Sequence, residues 1–553
     1  MRRVPPATFV LGWAGVNGEN GKMVDHKSIL EQRVLGGVNR REVIRGMGAG
    51  AAVLATGAGA RPAHANGGHI KLAWIDHVDT LDPHFTGFLG AVKVHNNIYN
   101  GLLKVEYDGK RVSFVPDLAE KWDVLDDKVH VFKLRPGVKF HDGTPCDAEA
   151  VKWSVERVWK GTPKSPHAWK YKELNSVEVL DPQTVRMTFN KPYAFLPVAL
   201  TGSTGRAGTI VSKAAVEKYG ANFGRNPVGT GPFKFVSWRE NDSIVVEKNP
   251  DYFEKGLPKL DRATFVIMKE PSAAIAAMLS GQIDGMSEIP VQFVSQIQAQ
   301  KNLQLYGEIE GNYVYVGMNC KRGPFDDMDL RRAVAFALNR EAVIKQAFFG
   351  HAIPAYTPIS PPMTDFYDPN VAKSGRGQFF DMAKAKDFRA KSKVKGTISP
   401  VFLSSEQGIY GTRLMQSVLP MLEAIDIKPK IEVVERAAWI QRRNAGDFDL
   451  FDFNWWADLD PDETITPEFR TGEAWNYPGW SNKRFDELVG AAQDTLDVAK
   501  RKAYYTEACD ILMEEAPIAI IAHMPVFKVF SQKVKDFKYI PVDSLNLHTV
   551  SLG

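Results

Sequence analysis

The residues best suited to chemistry in this 553-residue chain stand together in one stretch, FNWWADLDPDET, at positions 453–464. Two tryptophans, Trp455 and Trp456, precede a cluster of acids. The acids are Asp458, Asp460, Asp462 and Glu463. Alternating acids can form a calcium loop, paired carboxylates hydrolyse glycosides, and an acid beside an aromatic wall binds a cationic group such as an amine. The stretch is therefore a candidate metal loop, catalytic pair or ligand pocket.

The calcium-loop hypothesis fails on spacing. Counted from Asp458, such a loop needs glycine at its sixth position and a glutamate at its twelfth. Those positions hold Glu463 and Phe469. Elsewhere His77 and His84 share a segment, but two histidines alone make a poor metal site. We therefore predict no metal site and no cofactor.

The catalytic hypothesis is weak for a different reason. Four acids within six residues share one loop, whereas a glycoside hydrolase needs two carboxylates that face each other across a sugar. The chain also lacks the G-x-S-x-G, H-E-x-x-H and G-x-x-x-x-G-K-[ST] motifs of hydrolases and nucleotide-binding enzymes. We predict a binding protein rather than an enzyme, and keep a secreted glycoside hydrolase as the less favoured alternative.

The basic excess of the chain lies in its first 65 residues. They hold nine Lys or Arg against four Asp or Glu, which leaves a formal charge of −1 for the remainder and no electrostatic case for binding nucleic acid. The three cysteines, Cys146, Cys320 and Cys509, are far apart in sequence. At most one disulfide can form, and we expect buried thiols.

Residues 39–65 have the order of an export signal. The paired arginines Arg40 and Arg41 come first, a Gly/Ala-rich apolar run follows, and AHA ends the segment as an A-x-A cleavage site. This order predicts a twin-arginine-like signal peptide that is cleaved near Ala65. Met1 and Met23 are both candidate start residues.

The elements that must position the acid stretch alternate between strand and helix patterns. TVRMTFN, at 184–190, has strand periodicity, and RATFVIMK leads into a helix that stops near Gly281. DLRRAVAFALNREAVIKQAFFG, at 329–350, predicts one helix with Arg331 and Arg332 on its solvated face. Helical connections of this length between strands predict α/β sheets.

The acid stretch itself follows a strand pattern, DFDLFDFNWW, at 447–456. In open α/β sheets, ligands bind at the loops beyond the strand ends. A buried Asp beside an aromatic wall at such a loop suits a free amine, through a charge-assisted hydrogen bond. A cap on the next helix, or a turn, explains any single one of these acids equally well.

Nine motifs run along the chain after residue 65. They are DTLDPHFT, NIYNGLLKVEYDGKRVSFVPDLAEKW, VFKLRPGVKFHDGTPCDAEAVKWSVERV, NPVGTGPFKFVSW, KNPDYFEKGLPKLD, LSGQIDG, PFDDMDLRRAVAFALNREAVI, PGWSNKRFDEL and EEAPIAII. In this order they resemble the extracytoplasmic solute-binding proteins of ABC importers, family 5. Members of that family bind dipeptides, oligopeptides, nickel chelates and some oligosaccharides.

The resemblance implies a type II periplasmic-binding-protein fold of the α/β class, with two lobes, an extra subdomain in the first lobe and a hinged cleft. By analogy, residues 1–65 are an N-terminal extension with its signal peptide. Lobe I covers 66–315, with a subdomain inserted at about 111–224, and lobe II covers 316–520. Residues 521–553 return to lobe I. The two crossings between lobes are expected near 310–319 and 518–524.

The resemblance also assigns ligand contacts. In peptide-binding members, a Trp and, three residues later, an Asp contact the ligand, and the Asp pairs with its α-amino group. Trp455 and Asp458 match this spacing, with Trp456 beside them. Arg413 stands about where an arginine binds the ligand carboxylate in the dipeptide-binding member. A solvated helix arginine is the alternative for Arg413.

One departure from the family pattern concerns the ligand's charge. Arg436 stands where peptide-binding members often have a tryptophan, which favours an anionic group on the ligand. Alternatively, Trp439 takes the place of that aromatic wall after a local shift. From lobe I we expect Phe88 to contact the ligand.

Together these features predict a periplasmic protein that captures a short peptide or amino-acid-like solute by lobe closure. Oligosaccharide and metal-chelate binding are the alternatives within the same family. The implied partners are the small ligand and the permease subunits of an ABC transporter in the inner membrane. We expect a monomer, exported by the twin-arginine route, that binds no nucleic acid.

Overall fold

Two large β-sheets and their covering helices organise the computed structural model, which describes residues 68–202, 206–405, 412–542 and 544–553. These residues all belong to one compact unit, His64–Gly553. The predicted signal peptide and cleavage site lie outside the described residues. Within the described part of the chain, no helix combines the length and the apolar character needed to cross a bilayer.

The strands are β1 His69–Trp74, β2 Leu103–Tyr107, β3 Val112–Pro116, β4 Ala119–Asp126, β5 Val129–Leu134, β6 Leu174–Asp181, β7 Thr184–Phe189, β8 Phe233–Arg239, β9 Ser243–Lys248, β10 Arg262–Ile267, β11 Gly285–Met286, β12 Leu303–Ile309, β13 Asn312–Met318, β14 Ile353–Pro354, β15 Val401–Ser405, β16 Lys430–Val434, β17 Leu450–Trp456, β18 Ile518–His523, β19 Pro525–Ser531, β20 Val534–Lys535 and β21 Ser551–Leu552.

The α-helices are α1 Leu89–Ile98, α2 Ala148–Trp159, α3 Leu196–Ala199, α4 Lys213–Tyr219, α5 Pro271–Leu279, α6 Val294–Gln298, α7 Met328–Ala337, α8 Arg340–Ala347, α9 Met382–Lys391, α10 Arg413–Glu423, α11 Arg436–Asn444, α12 Pro461–Phe469, α13 Lys483–Gln493 and α14 Val498–Glu515. Short 3-10 helices cover Ala168–Tyr171, Gly220–Arg225 and Val291–Phe293.

The first large sheet has seven strands in the order β12-β19-β11-β1-β10-β9-β8. Strand β1 is parallel to both of its neighbours, β10 and β11, and the remaining pairs are antiparallel. The strand predicted at RATFVIMK is β10, and its parallel neighbour is β1.

The second large sheet has six strands in the order β14-β18-β13-β17-β15-β16. Strand β15 is parallel to β16 and β17, whereas β13 runs antiparallel to β17 and β18. One face of this sheet packs with α7, α8 and α10, and the other packs with α13 and α14. Alternation along the strands gives each face its own buried apolar core.

A smaller region, residues 102–210, lies between β1 and β8 in the sequence and has its own apolar core. It contains the hairpin of β2 and β3 and an antiparallel sheet in the order β4-β5-β7-β6. We call it the small-sheet region.

The chain crosses between the two large sheets twice, from β12 to β13 and from β18 to β19. Asn312 joins the two crossings. Its side-chain amide donates to the carbonyl of Met524 at 2.9 Å, and its side-chain oxygen accepts from the N–H of Met524 at 2.7 Å. We call residues 310–312 and 523–525 the hinge. The predicted lobe and subdomain boundaries stay a prediction.

Two details of the predicted helix at 329–350 were wrong. Asn339 caps a second helix with its side chain, so the segment forms α7 and α8 rather than one helix. Arg331 is 5% exposed, and its guanidinium donates to the carbonyls of Phe325, Asp326 and Glu515. Backbone carbonyls thus satisfy an arginine that the sequence pattern placed in solvent.

Candidate ligand-binding site

The parallel strands β15, β16 and β17 end at one edge of the second large sheet. The segments that follow them carry Arg413, Arg436 and Asp458, in that order. Asn312 pairs with Trp456 across β13 and β17, so the hinge lies on the same edge. The topology therefore brings three of the predicted residues to one sheet edge, as expected for ligand-binding loops of α/β proteins.

The first large sheet meets the hinge with a comparable edge. Strand β1 is parallel to β11, which is antiparallel to β19, so β1 ends on the side where β19 begins. The segment beyond β1 carries His77, whose ring packs edge-on against Phe88 at 4.7 Å. Phe88 is 43% exposed. The predicted contribution from the first lobe thus comes from a segment near the hinge.

The two adjacent tryptophans lie on opposite faces of β17 because side chains alternate along a strand. Trp455 donates its indole N–H to the carbonyl of Glu463 at 2.9 Å and packs edge-on against the exposed Trp475 at 5.5 Å. Trp439 is 8% exposed and stacks on Phe453 at 5.8 Å. Trp439 therefore belongs to the interior, whereas Arg436 is exposed at the start of α11.

Sequence analysis missed Arg443, one turn beyond Trp439 on the same helix face. Its guanidinium lies 4.3 Å from the ring centre of Trp439 and 3.9 Å from that of Tyr477. It donates to the hydroxyl of Tyr477 at 2.9 Å, and among the described residues its Nε has no partner. Burial lowers the pKa of Arg443. The only signal in the sequence was helical spacing from Arg436.

Three of the four acids in the opening stretch hold the start of α12. Asp460 caps the helix, accepting from the N–H of Asp462 at 2.8 Å, and pairs with Arg501 at 2.8 Å. Asp462 accepts from Thr466 at 2.7 Å, and burial raises its pKa. Glu463 accepts from the N–H of Asp458 at 3.0 Å and so shapes the loop before the helix.

Asp458 has an ammonium partner within the chain. The Nζ of Lys170 lies 2.9 Å from Oδ2 of Asp458 and 3.4 Å from Oε1 of Glu463. The Lys170 side chain is 1% exposed, and those of the two acids are 16% and 10% exposed. Burial and the charge of Asp458 raise the pKa of Glu463 to about 8. We call these three residues the acid–lysine cluster.

Lys170 belongs to the small-sheet region and is held there from several sides. It sits in the 3-10 helix Ala168–Tyr171, and its carbonyl accepts from the hydroxyl of Tyr193 at 2.8 Å. One turn earlier, His167 bonds to the carbonyl of Thr86 at 2.9 Å. The segment that carries Phe88 and the helix that carries Lys170 are therefore tied together.

Arg413 also connects the two large sheets. Its guanidinium donates to the side-chain oxygen of Gln292 at 3.4 Å and lies 5.2 Å from the ring centre of Phe349. Partial burial lowers its pKa. Both α10 and α11 begin with an arginine and have no acid in their first turn. The positive ends of two helix dipoles and two guanidinium groups therefore lie along one edge.

A cavity of about 440 Å³ adjoins the acid–lysine cluster. It lies between the small-sheet region and the second large sheet and is mostly apolar. Its lining includes Phe114, Trp122, Tyr193, Met363, Phe366 and Leu459. Arg111 and Asp365, which form an ion pair at 2.9 Å, belong to the same lining.

The residues weighed as metal ligands have other partners. Nε2 of His84 lies 2.8 Å from the carbonyl oxygen of Thr209, and its Nδ1 lies 2.8 Å from a guanidinium nitrogen of Arg157. Within the described ranges, no group of three or more His, Cys, Asp or Glu side chains is arranged to hold a metal ion. The three cysteines are free thiols, and burial raises the pKa of Cys320 to about 11 and that of Cys509 to about 12.

Comparison with known proteins places this arrangement in context. Residues 113–477 match the family described as bacterial extracellular solute-binding proteins, family 5. The glutathione-binding protein GsiB of Salmonella paratyphi A is 30% identical over 475 residues, which cover 84% of this chain and 90% of GsiB.

Two solved structures of binding proteins are also similar to this chain. The binding protein AgaA from A. tumefaciens R10, in complex with agropinic acid, is 25% identical with a TM-score of 0.75, covering 88% of this chain and 99% of AgaA. The periplasmic binding protein DppA of Helicobacter pylori, in complex with the peptide STSA, is 25% identical with a TM-score of 0.75 and covers 88% of this chain and 98% of DppA. The predicted α/β fold with two lobes is confirmed.

Proposed function

The chain belongs to the family 5 bacterial extracellular solute-binding proteins, and from that membership we propose that it captures a short, acidic peptide or amino-acid-like solute for an ABC importer. The ligand binds in the cleft between the lobes, at the edge where β15, β16 and β17 end. Closure of the lobes buries it, and the closed form docks on the permease. Closure follows ligand binding only if the ligand contacts both lobes.

The set of cations at one sheet edge carries this proposal. Arg413 and Arg436 begin two helices there, and Arg443 lies about two turns further along α11, in its last turn. Among the described residues, none of the three is ion-paired with a carboxylate. Guanidinium groups bind carboxylates through paired hydrogen bonds, so an acidic ligand satisfies them. Two ligands named for similar proteins, glutathione and agropinic acid, are acids.

The remaining side chains complete the pocket. Trp455 forms its aromatic wall, Trp439 lies in the interior on Phe453, which shares a strand face with Trp455, and Trp456 points from the opposite face of β17. Phe88 contributes from the first lobe. Asp458 forms the acidic end of the pocket, together with the lysine that pairs with it. An aromatic wall gives area for burial, while the charged groups fix orientation.

We further propose how the protein reaches its place of action. It is exported to the periplasm by the twin-arginine route, is cleaved near Ala65 and works there as a monomer. It binds no nucleic acid and catalyses no reaction. The near-neutral charge of the chain after residue 65 supports the absence of nucleic-acid binding.

Calorimetric titration of the purified mature protein with glutathione tests the function. We expect saturable binding, and we expect Arg436→Gln to weaken it by roughly 10- to 100-fold, because a charge-assisted contact to a carboxylate is lost. Lys483→Gln is the matched control, since that side chain is 93% exposed on α13.

Two outcomes contradict the proposal. Absence of binding to glutathione and to a panel of acidic di- and tripeptides excludes the ligand class. Chromatography and mass spectrometry monitor the peptide during incubation. If the peptide is consumed, the protein is not a binding protein only.

A further inference from the structure

The ammonium group of Lys170 stands where the sequence pattern places the amine of a ligand. It contacts the carboxylate of Asp458 at 2.9 Å, a normal distance for a charge-assisted hydrogen bond. Lys170 comes from the small-sheet region and Asp458 from the loop after β17, so the contact joins the two sides of the cleft. The amine that meets Asp458 is therefore supplied by the protein.

Displacing this lysine is costly. Lys170 is 1% exposed, and its ammonium also lies over the rings of Trp169 and Phe195, 5.4 Å from each ring centre. A lysine moved off its carboxylates would remain buried against aromatic groups without an anionic partner. Breaking a buried pair by removing one partner is strongly destabilising, because it leaves a buried charge without compensation.

The charges of the cluster are already balanced without a second amine. Burial and the charge of Asp458 raise the pKa of Glu463, which favours the protonated form of this carboxyl. Asp458 and Lys170 then form a neutral pair. A ligand ammonium at the same place would be repelled by Lys170 at close range.

Two arginines on the second-sheet side, Arg413 and Arg443, each have a buried Nε without a partner among the described residues. Other buried arginines of the described chain have backbone carbonyls or a carboxylate as partners, as Arg331 and Arg501 show. Arg340 donates to the carbonyls of Ala355 and Leu338, for example. Arg443 has no such set: it donates to a hydroxyl and to a side-chain amide at 3.4 Å, and its buried Nε has no partner among the described residues.

Resting on the proposed function, we propose that Lys170 is a specificity-determining residue that occupies the amine position at Asp458, so that the ligand is selected by its carboxylates and needs no free amino group. The ligand class is then acidic peptides and peptide-like acids whose amine is free, substituted or absent. Lys170 positions the acid loop and excludes the amine as a recognition element.

Paired ligands test this proposal directly. Glutathione and a panel of acidic di- and tripeptides are titrated in two forms, with a free and with an N-acetylated amino terminus. For the unaltered protein we expect the two forms of one peptide to bind within about threefold of each other. Lys170→Met removes the internal ammonium, and this variant should prefer the free-amine form by tenfold or more, because Asp458 then lacks a cation.

Lys170→Arg is the conservative control, and it should bind the free and the N-acetylated form of one peptide with similar affinity. Asp458→Asn gives a second route if Lys170→Met does not fold: it should change the affinity for both forms equally. A tenfold loss on acetylation in the unaltered protein, or a selective loss of the free-amine form in Asp458→Asn, overturns the proposal.

Failure of the proposed function gives a different result. If no member of the panel binds in either form, the acidic-peptide class is wrong. The comparison is then made with the solute that the purified protein retains, identified by mass spectrometry. A requirement for a primary amine on that solute overturns the role of Lys170.

Discussion

Glu468 shows how far a single residue can depart from its ordinary behaviour in this fold. Its carboxyl group is fully buried and accepts from the hydroxyls of Tyr313 and Tyr315. Among the described residues no cation is ion-paired with it. Burial raises the pKa of Glu468 to about 8, and the charge of Arg443 and the two hydroxyls only partly oppose that shift. The group is therefore mostly neutral at pH 7.

This shift makes stability depend on pH with a definite sign. The folded-state pKa of Glu468 lies above its unfolded value of 4.5, so its contribution is present below about pH 4.5 and is lost as pH rises through about 8. Glu468→Gln mimics the protonated group and should remove that loss. We expect the variant to gain about 1 kcal/mol or more, relative to the unaltered protein, between pH 5.5 and pH 8.5.

Urea unfolding at the two pH values measures this difference. Glu217→Gln, at a side chain that is 65% exposed on α4, is the matched control and should show no such gain. Parallel pH profiles for Glu468→Gln and the unaltered protein would show that Glu468 is ionised in the fold throughout this range.

Residue types and the resemblance together predicted part of the candidate site. The Trp-x-x-Asp spacing of the family pointed to the loop after β17, and its contact with a ligand stays a prediction. A cap or a turn was expected for any single one of the four acids, and Asp460 is the one that caps α12. Lys170 was invisible because it lies 288 positions before its partner, in a segment with other lysines. Arg331 was misjudged because its partners are carbonyls, which every residue has. Partners distant in sequence, and partners in the backbone, leave no pattern in residue types.

At the scale of elements, the hinge and the acid loop are in direct backbone contact. The N–H of Ala457 donates to the carbonyl of Gly311 at 2.6 Å. A Cβ placed on Gly311 would lie 2.4 Å from the carbonyl oxygen of Ala457. The first crossing between the sheets therefore sets the position of the residue that precedes Asp458.

Gly311→Ala should displace the acid loop. We expect a loss of about 1–3 kcal/mol in stability, because backbone atoms on both sides must move, together with weaker ligand binding. Calorimetric melting and titration with glutathione measure both effects. Gly490→Ala is the control: it lies inside α13, a Cβ there meets nothing within 4 Å, and it should gain about 0.5–1 kcal/mol. Equal effects of the two substitutions would exclude a special role for the hinge glycine.

Element types were predictable where periodicity was strong, as for β7, β10 and β17. The break between α7 and α8 was not, because Asn339 interrupts a continuous helical stripe by capping the second helix with its side chain. Strand order was not predictable either. Whether β15 pairs with β16 or β13 depends on contacts between distant segments, and local propensity does not encode them.

At the scale of the whole molecule, three basic side chains of the small-sheet region form ion pairs with the second-sheet side among the described residues. Besides Lys170, they involve Arg111 with Asp365 at 2.9 Å and Lys191 with Asp494 at 2.7 Å. The last two are exposed, so each contributes only about 0–1 kcal/mol and is screened by salt. The buried pair of Lys170 and Asp458 therefore dominates this interface.

Small-angle scattering of the protein without added ligand tests this ranking. Arg111→Ala combined with Lys191→Ala should leave the radius of gyration unchanged within error. Lys170→Met should increase it, because the lobes lose their strongest polar contact. An increase for the surface pair, with none for Lys170→Met, would reverse the order of importance.

The bridge between Asn312 and Met524 has a mechanical consequence. The crossings lie between two paired stretches, β12 with β19 up to Ile309 and Pro525, and β13 with β18 from Val314 and Ala522. Such a two-stranded connection can bend or twist, but its strands cannot slide past each other. Asp458 follows Ala457, whose N–H contacts the carbonyl of Gly311 in the hinge. Asp458 therefore lies close to the point about which the lobes turn. A given rotation therefore displaces Asp458 less than it displaces the outer parts of either lobe. The charged groups of the site stay nearly in place, whereas the outer surfaces of the lobes move most.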